Sequence, residues 1–270
     1  MKIRLLGTGA ADGIPAFHGD CRVCRYAREH RGKDIRSRSA AVIDDCLKID
    51  LPPDTLMQMH QSGTNARDWS ALIFTHSDED HFSVDQLQYA LHPFTDMDHI
   101  GFTIYANSTI TSSIWKRYPD WPLEVNTTRS FCSFEHSGYL VTPIKAMHGG
   151  EFEDAQNLIV ERNGKSILYA TDTGIWPDET WFHLRDHSLD AMVIECTNGF
   201  VPNSYTGHLD VNQCLGMVER LREQGTLRPA ARVVTTHHSH RGNATHEELE
   251  SALNPHGIEV GFDGILIDIS

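Results

Sequence analysis

The 270-residue chain contains no uninterrupted apolar run of about 18 residues, which excludes a membrane-spanning helix of ordinary length. It is short of positive charge, with 23 Lys and Arg against 37 Asp and Glu and a formal net charge of −14. That balance argues against a general polyanion binder, because nucleic-acid affinity rests on neutralising phosphates with basic side chains. Cysteine is sparse. Of the six, only Cys21 and Cys24 have metal-type spacing, and Cys46, Cys132, Cys196 and Cys214 read as inert thiols in a reducing compartment. Repeats, low-complexity segments and long linkers are missing, so one domain spanning residues 1–270 is expected, and 40% hydrophobic residues suffice for a sizeable core. The opening Met1-Lys2-Ile3-Arg4-Leu5-Leu6-Gly7 reads as too short and too soon glycine-rich for a signal peptide, and the expected location is the cytoplasm.

Histidine, by contrast, is abundant: there are 17, many in short clusters beside acids. Histidine serves as a metal ligand and proton shuttle. The densest cluster is T-H-S-D-E-D-H-F, residues 75–82, directly after the apolar run Ala71-Leu72-Ile73-Phe74. So many ligand-type groups at the end of a strand are costly to hold together without a counter-ion.

Apolar runs predict strands over Lys2–Leu6, Ala40–Ile43, Leu47–Leu51, Ala71–Thr75, Thr103–Tyr105, Tyr139–Ala146, Leu158–Arg162, Ser166–Ala170, Ala191–Glu195, Arg232–Thr236 and Ile265–Ile269. Helices are predicted over Pro53–Gln61, Val84–Leu91, Thr109–Tyr118, Pro177–Leu184, Val211–Gln224 and His246–Leu253. Val211, Leu215, Val218 and Leu221 share one face of the fifth helix, with Asp210 as its N-cap. Asn163-Gly164 between two apolar runs signals a hairpin. This order fits two mixed sheets packed together with helices outside, an α/β (α+β) sandwich, better than a doubly wound parallel sheet. Residues 11–38 are polar and without periodicity, and such a stretch in a compact domain needs something to hold it.

Ligand-type residues follow the predicted strands directly. His76, Asp78, Asp80 and His81 follow Leu72–Phe74; His148 follows Val141–Met147; Asp172 follows Ile167–Ala170; His237 follows Val233–Thr236. Strand ends along one sheet edge are where residues far apart in sequence converge into a site.

The ordered set His-x-x-x-Asp-His, a later lone His, Thr-Asp-Thr-Gly and a final Thr-His resembles the metallo-β-lactamase fold hydrolases over nearly the whole chain. The resemblance implies an αββα sandwich carrying two metals at the strand ends. One would take His76, Asp78 and His148, the other Asp80, His81 and His237, with Asp172 between them. Such a pair, about 3.5–4 Å apart, clamps an attacking hydroxide. The fold hosts many chemistries, so further residues have to narrow the function.

L-L-G-T-G-A-A-D-G-I-P, residues 5–15, is similar to the opening of the phosphodiesterase branch, which includes the tRNA 3′-processing endonucleases. Glu195-Cys196-Thr197-Asn198 followed by Gly207-His208-Leu209-Asp210 resembles that branch's acid-plus-histidine element. There His208 would protonate the leaving alkoxide and Asp210 would orient it. G-D-C-R-V-C at 19–24, H-H-S-H at 237–240 and the closing E-V-G-F-D-G at 259–264 resemble the PhnP-type cyclic-phosphate phosphodiesterases. In that group Cys21, Cys24 and His240 would hold a structural zinc.

Two departures stand out. Gly19 sits where the group offers a cysteine, leaving His18 or Asp20 as candidates for a fourth zinc ligand. Asp78 sits where the family has a second histidine, and a carboxylate there shifts preference toward Mn²⁺ or Fe²⁺ over Zn²⁺. The expectation is a metal-dependent phosphodiesterase for a small phosphorylated substrate such as a cyclic ribose phosphate, with Asp172, Asp80 and His208 in the catalytic roles. Another hydrolase of the fold, acting on a lactone, ester or thioester, stays open, as does a metal-binding protein whose catalysis Asp78 has weakened. The resemblance allows a homodimer, but no sequence feature marks a face for one.

Overall fold

The computed structural model describes residues 1–97, 100–150, 152–202 and 205–270. One sheet contains β1 (Lys2–Gly7), β2 (Ala40–Ile43), β3 (Leu47–Ile49), β4 (Ala71–Ile73), β5 (Thr103–Ala106) and β6 (Val125–Thr127), with β14 (Leu266–Asp268) beside β1. The other contains β7 (Phe134–His136), β8 (Tyr139–Lys145), β9 (Gln156–Arg162), β10 (Lys165–Ala170), β11 (Leu189–Glu195), β12 (Leu227–Thr236) and β13 (Ile258–Val260) in sequential order. Both sheets are mixed. β3 to β6 pair parallel, as do β10 to β13, and the remaining neighbours pair antiparallel.

Alternation along each strand builds three apolar layers. Ile3, Leu5, Ile43, Ile49 and Ile73 meet Val141, Leu158, Ile167, Tyr169 and Val193 between the sheets. Val42, Leu72 and Ile104 turn the other way, toward Trp69, Leu87, Ile110 and Ile114. Leu168, Met192, Ile194 and Val233 pack beneath Trp181, Leu184, Val218, Leu221, Leu249 and Leu253. Sheets covered on both faces need strands apolar at nearly every position, which is why the runs are legible in the sequence. The covering helices are α2 (Thr55–Ser62), α3 (Ser108–Arg117), α4 (Asp178–Leu184), α5 (Val211–Glu223) and α6 (His246–Leu253). The metallo-β-lactamase αββα sandwich is the architecture observed.

Asp210 caps α5 in a full capping box with Gln213, and Asn163-Gly164 turns β9 into β10 with both residues at positive φ. Three details differ from the sequence reading. Residues 11–38 contain a helix, α1 (Arg22–His30), capped by the Cys21 side chain; only Val23, Cys24 and Ala27 are buried on it, too few for a visible period. The Val84–Leu91 helix is a 3₁₀ segment, Val84–Ala90. The strands β6 (VNT), β7 (FEH) and β13 (IEV) lie outside the predicted strands, because none carries more than two apolar residues and so no apolar run marks them. Among the described residues no helix is long and apolar enough to cross a membrane.

Asp263, in the closing motif, ties the first loop to the last strands. One carboxylate oxygen accepts from the Thr8 N–H and hydroxyl at 2.8 and 2.7 Å, and the other from the Ser37 N–H and hydroxyl, both at 2.7 Å. Asp263→Ala strands these donors and should cost about 3 kcal/mol, measured as a lower urea midpoint at unchanged slope; a wild-type midpoint would contradict this role.

Candidate metal centre and active site

The C-terminal ends of β4, β8, β10, β11 and β12 lie along one edge of the sandwich, and the chain turns sharply as it leaves three strands. Asp50, Asp172 and His237 have φ of 59°, 46° and 56°. Side-chain-bearing residues rarely adopt this region, which costs on the order of 1–3 kcal/mol each and persists where surrounding contacts enforce it.

The structure brings all seven ligand candidates together. Asp78 Oδ2 lies 3.2 Å from His148 Nε2 and 3.6 Å from His76 Nε2. Asp80 Oδ2 lies 3.3 Å from His81 Nε2 and 3.5 Å from His237 Nε2. Asp172 stands between the two triads. Its Oδ1 is 4.0 and 3.8 Å from the Nε2 atoms of His76 and His148, and its Oδ2 is 3.0 and 3.1 Å from those of His81 and His237. One carboxylate thus addresses each triad with a different oxygen.

The imidazoles are pre-set. His81 Nδ1 bonds Asp50 Oδ2 at 2.7 Å, His148 Nδ1 bonds the Gly207 carbonyl at 3.0 Å, and His237 Nδ1 bonds the Thr197 hydroxyl at 2.8 Å. His76 Nδ1 meets the Thr75 hydroxyl at 3.0 Å, while its buried Nε2 has no hydrogen-bond partner among the described residues. Every ring is held through Nδ1 with Nε2 aimed at the carboxylates. Buried Nε2 atoms converging with three carboxylates fit divalent ions, and both triads could hold one.

The electrostatics agree. Burial opposes ionisation of Asp172 and Asp80, yet the surrounding imidazoles hold both well below the usual carboxylate range. The His148 hydrogen bond, with the His76 ring beside it, holds Asp78 low as well.

Beside this cluster, His208 donates Nδ1–H to Glu195 Oε1 at 2.7 Å, and the same nitrogen is 3.9 Å from Asp172 Oδ1. Glu195 is fully buried and also accepts the N–H groups of Thr173, Thr197 and Leu209. Burial would lower the His208 pKa, but the Glu195 carboxylate outweighs it and the ring is pushed up. The residue that orients His208 is therefore Glu195. Asp210, expected in that role, spends its side chain capping α5: its Oδ1 accepts the Gln213 N–H, while its own N–H donates to the Gln213 side-chain oxygen.

The cavity at this edge, about 370 Å³, is lined by Asp78, Asp80, Asp172, His208 and His237, together with Asp12, Asn198, Tyr205 and Arg241. A larger cleft of about 590 Å³ lies at the opposite edge, around the β9–β10 turn. Of its charged groups, Lys165 and Arg228 pair with Asp190, Arg162 pairs with Asp44, and His187 stands 4.0 Å from Glu161.

Cys21, Cys24 and His240 also come together, their donor atoms within 4.8 Å of one another. Neither proposed fourth ligand joins them. His18 packs edge-on against Phe17, and Asp20 pairs with Arg25 and Arg28. Glu79 is exposed, a spacer in the octet.

Sequence reasoning missed Asp50, Asp12, Tyr205 and Arg241. Asp50 had a usable signal, an acid directly after the apolar strand Leu47–Ile49, which the predicted run to Leu51 concealed.

Metal uptake should be proton-coupled. Burial alone would lower the His148 pKa, but the Asp78 hydrogen bond and the Asp172 charge lift it to about 9. Near neutral pH an ion entering the His76–Asp78–His148 triad must displace that proton, so binding there releases protons and affinity rises with pH toward about 9. Calorimetric titration with Mn²⁺ in buffers of different ionisation enthalpy measures the release; buffer-independent heats and pH-independent affinity would contradict it.

Residues 47–238 match the family described as the beta-lactamase superfamily domain. An octanoyltransferase of Porphyromonas gingivalis is 31% identical over 289 aligned residues, covering 98% of this chain and 51% of that protein, so the chain spans about half the length of this relative. Among solved structures, zinc-bound PqqB from Methylobacterium extorquens superposes with a TM-score of 0.81 at 18% identity over all of both chains. A diphosphatase of the PhnP family gives 0.77 at 22% identity, over 100% of this chain and 98% of its own. The short form of human tRNase Z gives 0.67 at 18% identity over all of both chains. These likenesses bear on fold alone. With the family match over most of its length and the sandwich it builds, the chain belongs to the beta-lactamase superfamily, with the metallo-β-lactamase fold of the hydrolases it resembles.

Proposed function

We propose that the protein is a metal-dependent phosphodiesterase acting on a small phosphodiester, such as a cyclic ribose phosphate. The observation that carries this reading is the buried Glu195–His208 pair, 3.9 Å from the Asp172 carboxylate that faces both triads. Two divalent ions, Mn²⁺ or Zn²⁺ and with Fe²⁺ as a further fit, would be held by His76, Asp78, His148 and Asp80, His81, His237, with Asp172 shared. When bound they would supply charge neutralisation at the phosphoryl oxygens and acidify water for the attack.

The chain's own residues supply the rest. His208 has Nδ1 committed to Glu195, which leaves the proton on Nε2 for the departing alkoxide oxygen. The Glu195 carboxylate raises the pKa of that ring, favouring its protonated form, and fixes its tilt. Asp50, Thr197 and the Gly207 carbonyl hold three imidazoles in register. A cavity of about 370 Å³ favours a small substrate, near the low end of the roughly 300–1,000 Å³ of ligand pockets.

Hydrolysis of an ester, lactone or thioester is a second reading, supported by the name of the octanoyltransferase relative. The same ligand candidates serve it, but no strongly basic alkoxide leaves in thioester cleavage, so His208 would be idle.

Assays with Mn²⁺ on cyclic and linear phosphodiesters test the first reading. His208→Ala should lower kcat on the order of 10²–10⁴-fold, and Glu195→Gln should lower it less. Absence of turnover in wild type, or full turnover in His208→Ala, sinks it; thioester cleavage indifferent to His208→Ala supports the second. Asp78→His should raise selectivity for Zn²⁺ over Mn²⁺ in competition, read by elemental analysis; identical metal content would show that position 78 does not select the ion.

A further inference from the structure

Asp12 belongs to two sites at once. It lines the active-site cavity, and its Oδ2 lies 3.3 Å from Nε2 of His240. The other nitrogen of that ring, Nδ1, lies 3.4 Å from Cys21 Sγ, in the cluster completed by Cys24.

The donors of that cluster suit a zinc-type ion. Two sulfurs and an imidazole nitrogen form a soft set. Burial would raise the Cys21 thiol, but the Cys24 N–H and the His240 ring bring it down to about 7. Gly19 brings no side-chain donor to the set, and a Cβ there would meet Cys24 Sγ at 2.5 Å unless that thiol moved. Among the described residues the cluster therefore offers three donors, and the orientation of His240 matters more than it would in a site closed by four.

The backbone makes that orientation a joint property of two segments. Ala10 N donates to the His238 carbonyl at 3.0 Å, and His238 N donates to the Thr8 carbonyl at 2.8 Å. Residues 8–10 are thereby zipped to the segment that runs from His237, at the active site, to His240, at the cysteines. Asp12 follows this zipper on one side and His240 on the other. With Nε2–H directed at the Asp12 carboxylate, the Nδ1 lone pair faces the thiols, the arrangement by which a carboxylate raises the basicity of a ligating imidazole.

We propose that Asp12 is a positioning residue that couples the Cys21–Cys24–His240 cluster to the active-site cavity. Accepting the His240 proton presents Nδ1 to an ion held by the two thiols, and that ion in turn fixes the Asp12 carboxylate in the cavity wall. The coupling does not depend on which ester the enzyme cleaves.

Cobalt(II) tests it, because only the cysteine cluster gives thiolate-to-cobalt charge-transfer absorption. Chelator competition followed in that band should show Asp12→Ala binding about 10–100-fold more weakly than wild type, with Asp12→Asn, which keeps an acceptor but no charge, in between. Wild-type affinity in both variants overturns the proposal. If Asp12→Ala does not fold, judged by circular dichroism, Asp12→Asn against wild type decides it. The second arm measures inorganic phosphate binding by calorimetry in Mn²⁺-loaded protein. Cys21→Ser, which removes a thiol from the cluster, should change phosphate binding in the wild-type background and change it less in the Asp12→Asn background, as linkage requires. Equal phosphate binding by Cys21→Ser and wild type, or none by either, refutes the coupling.

Discussion

The carboxylate of Asp172 is the group around which the rest of the structure is arranged. It is buried, held at positive φ, and surrounded by imidazoles from three other strand ends. A lone carboxylate at that depth would cost several kcal/mol in lost hydration. The cost is offset only if His76, His81, His148 and His237 all arrive together, and they come from β4, β8 and β12 in two different sheets. The inter-sheet layer of Ile3, Leu5, Ile49, Ile73, Leu158, Tyr169 and Val193 fixes how the two edges align. Packing sets the geometry, and the site uses it.

A single carboxylate facing two groups of imidazoles also explains the division of labour among the second set of contacts. His81 and His237 approach one oxygen of Asp172 to about 3 Å, while His76 and His148 stand nearly 4 Å from the other. The tight side is the one whose rings are held by Asp50 and Thr197 within the buried interior. The looser side includes the half-exposed Asp78, which lines the cavity together with Asp80 and His237 of the tight side. His208 and Glu195 stand on that looser side, against Oδ1.

How much of this was legible follows from the range over which each signal acts. The ligand candidates could be found because a ligand follows each apolar strand within a few residues, a local rule. The αββα sandwich was legible because strands covered on both faces carry near-continuous apolar runs. Residues that act through space left no such mark. Asp50 meets His81 from 31 positions away, and Asp12 meets His240 from 228. Asp210 shows the reverse failure: its proximity in sequence to His208 suggested a catalytic partnership, but an N-cap already claimed it, and the buried Glu195, 13 positions back, took the imidazole instead. Local hydrogen bonding to a helix terminus wins over a distant imidazole because it needs no additional ordering of the chain.

Asp78 is the member of the octet with the most freedom to differ. Its side chain is 53% exposed, against 2% for His76 and 4% for His148 in the same triad. A substitution from imidazole to carboxylate at a buried ligand position would add an anion that the core must neutralise; at the rim, water shares that burden. The exchange therefore changes the charge and hardness presented to an ion without disturbing the packing that aligns the other ligands. It also leaves Arg241 as the one Arg or Lys among the described residues lining a cavity that holds four carboxylates, those of Asp12, Asp78, Asp80 and Asp172. A site so rich in anions depends on its cations for any affinity toward a phosphate, which ties substrate binding to metal occupancy more strictly than in a site with three neutral ligands at that triad.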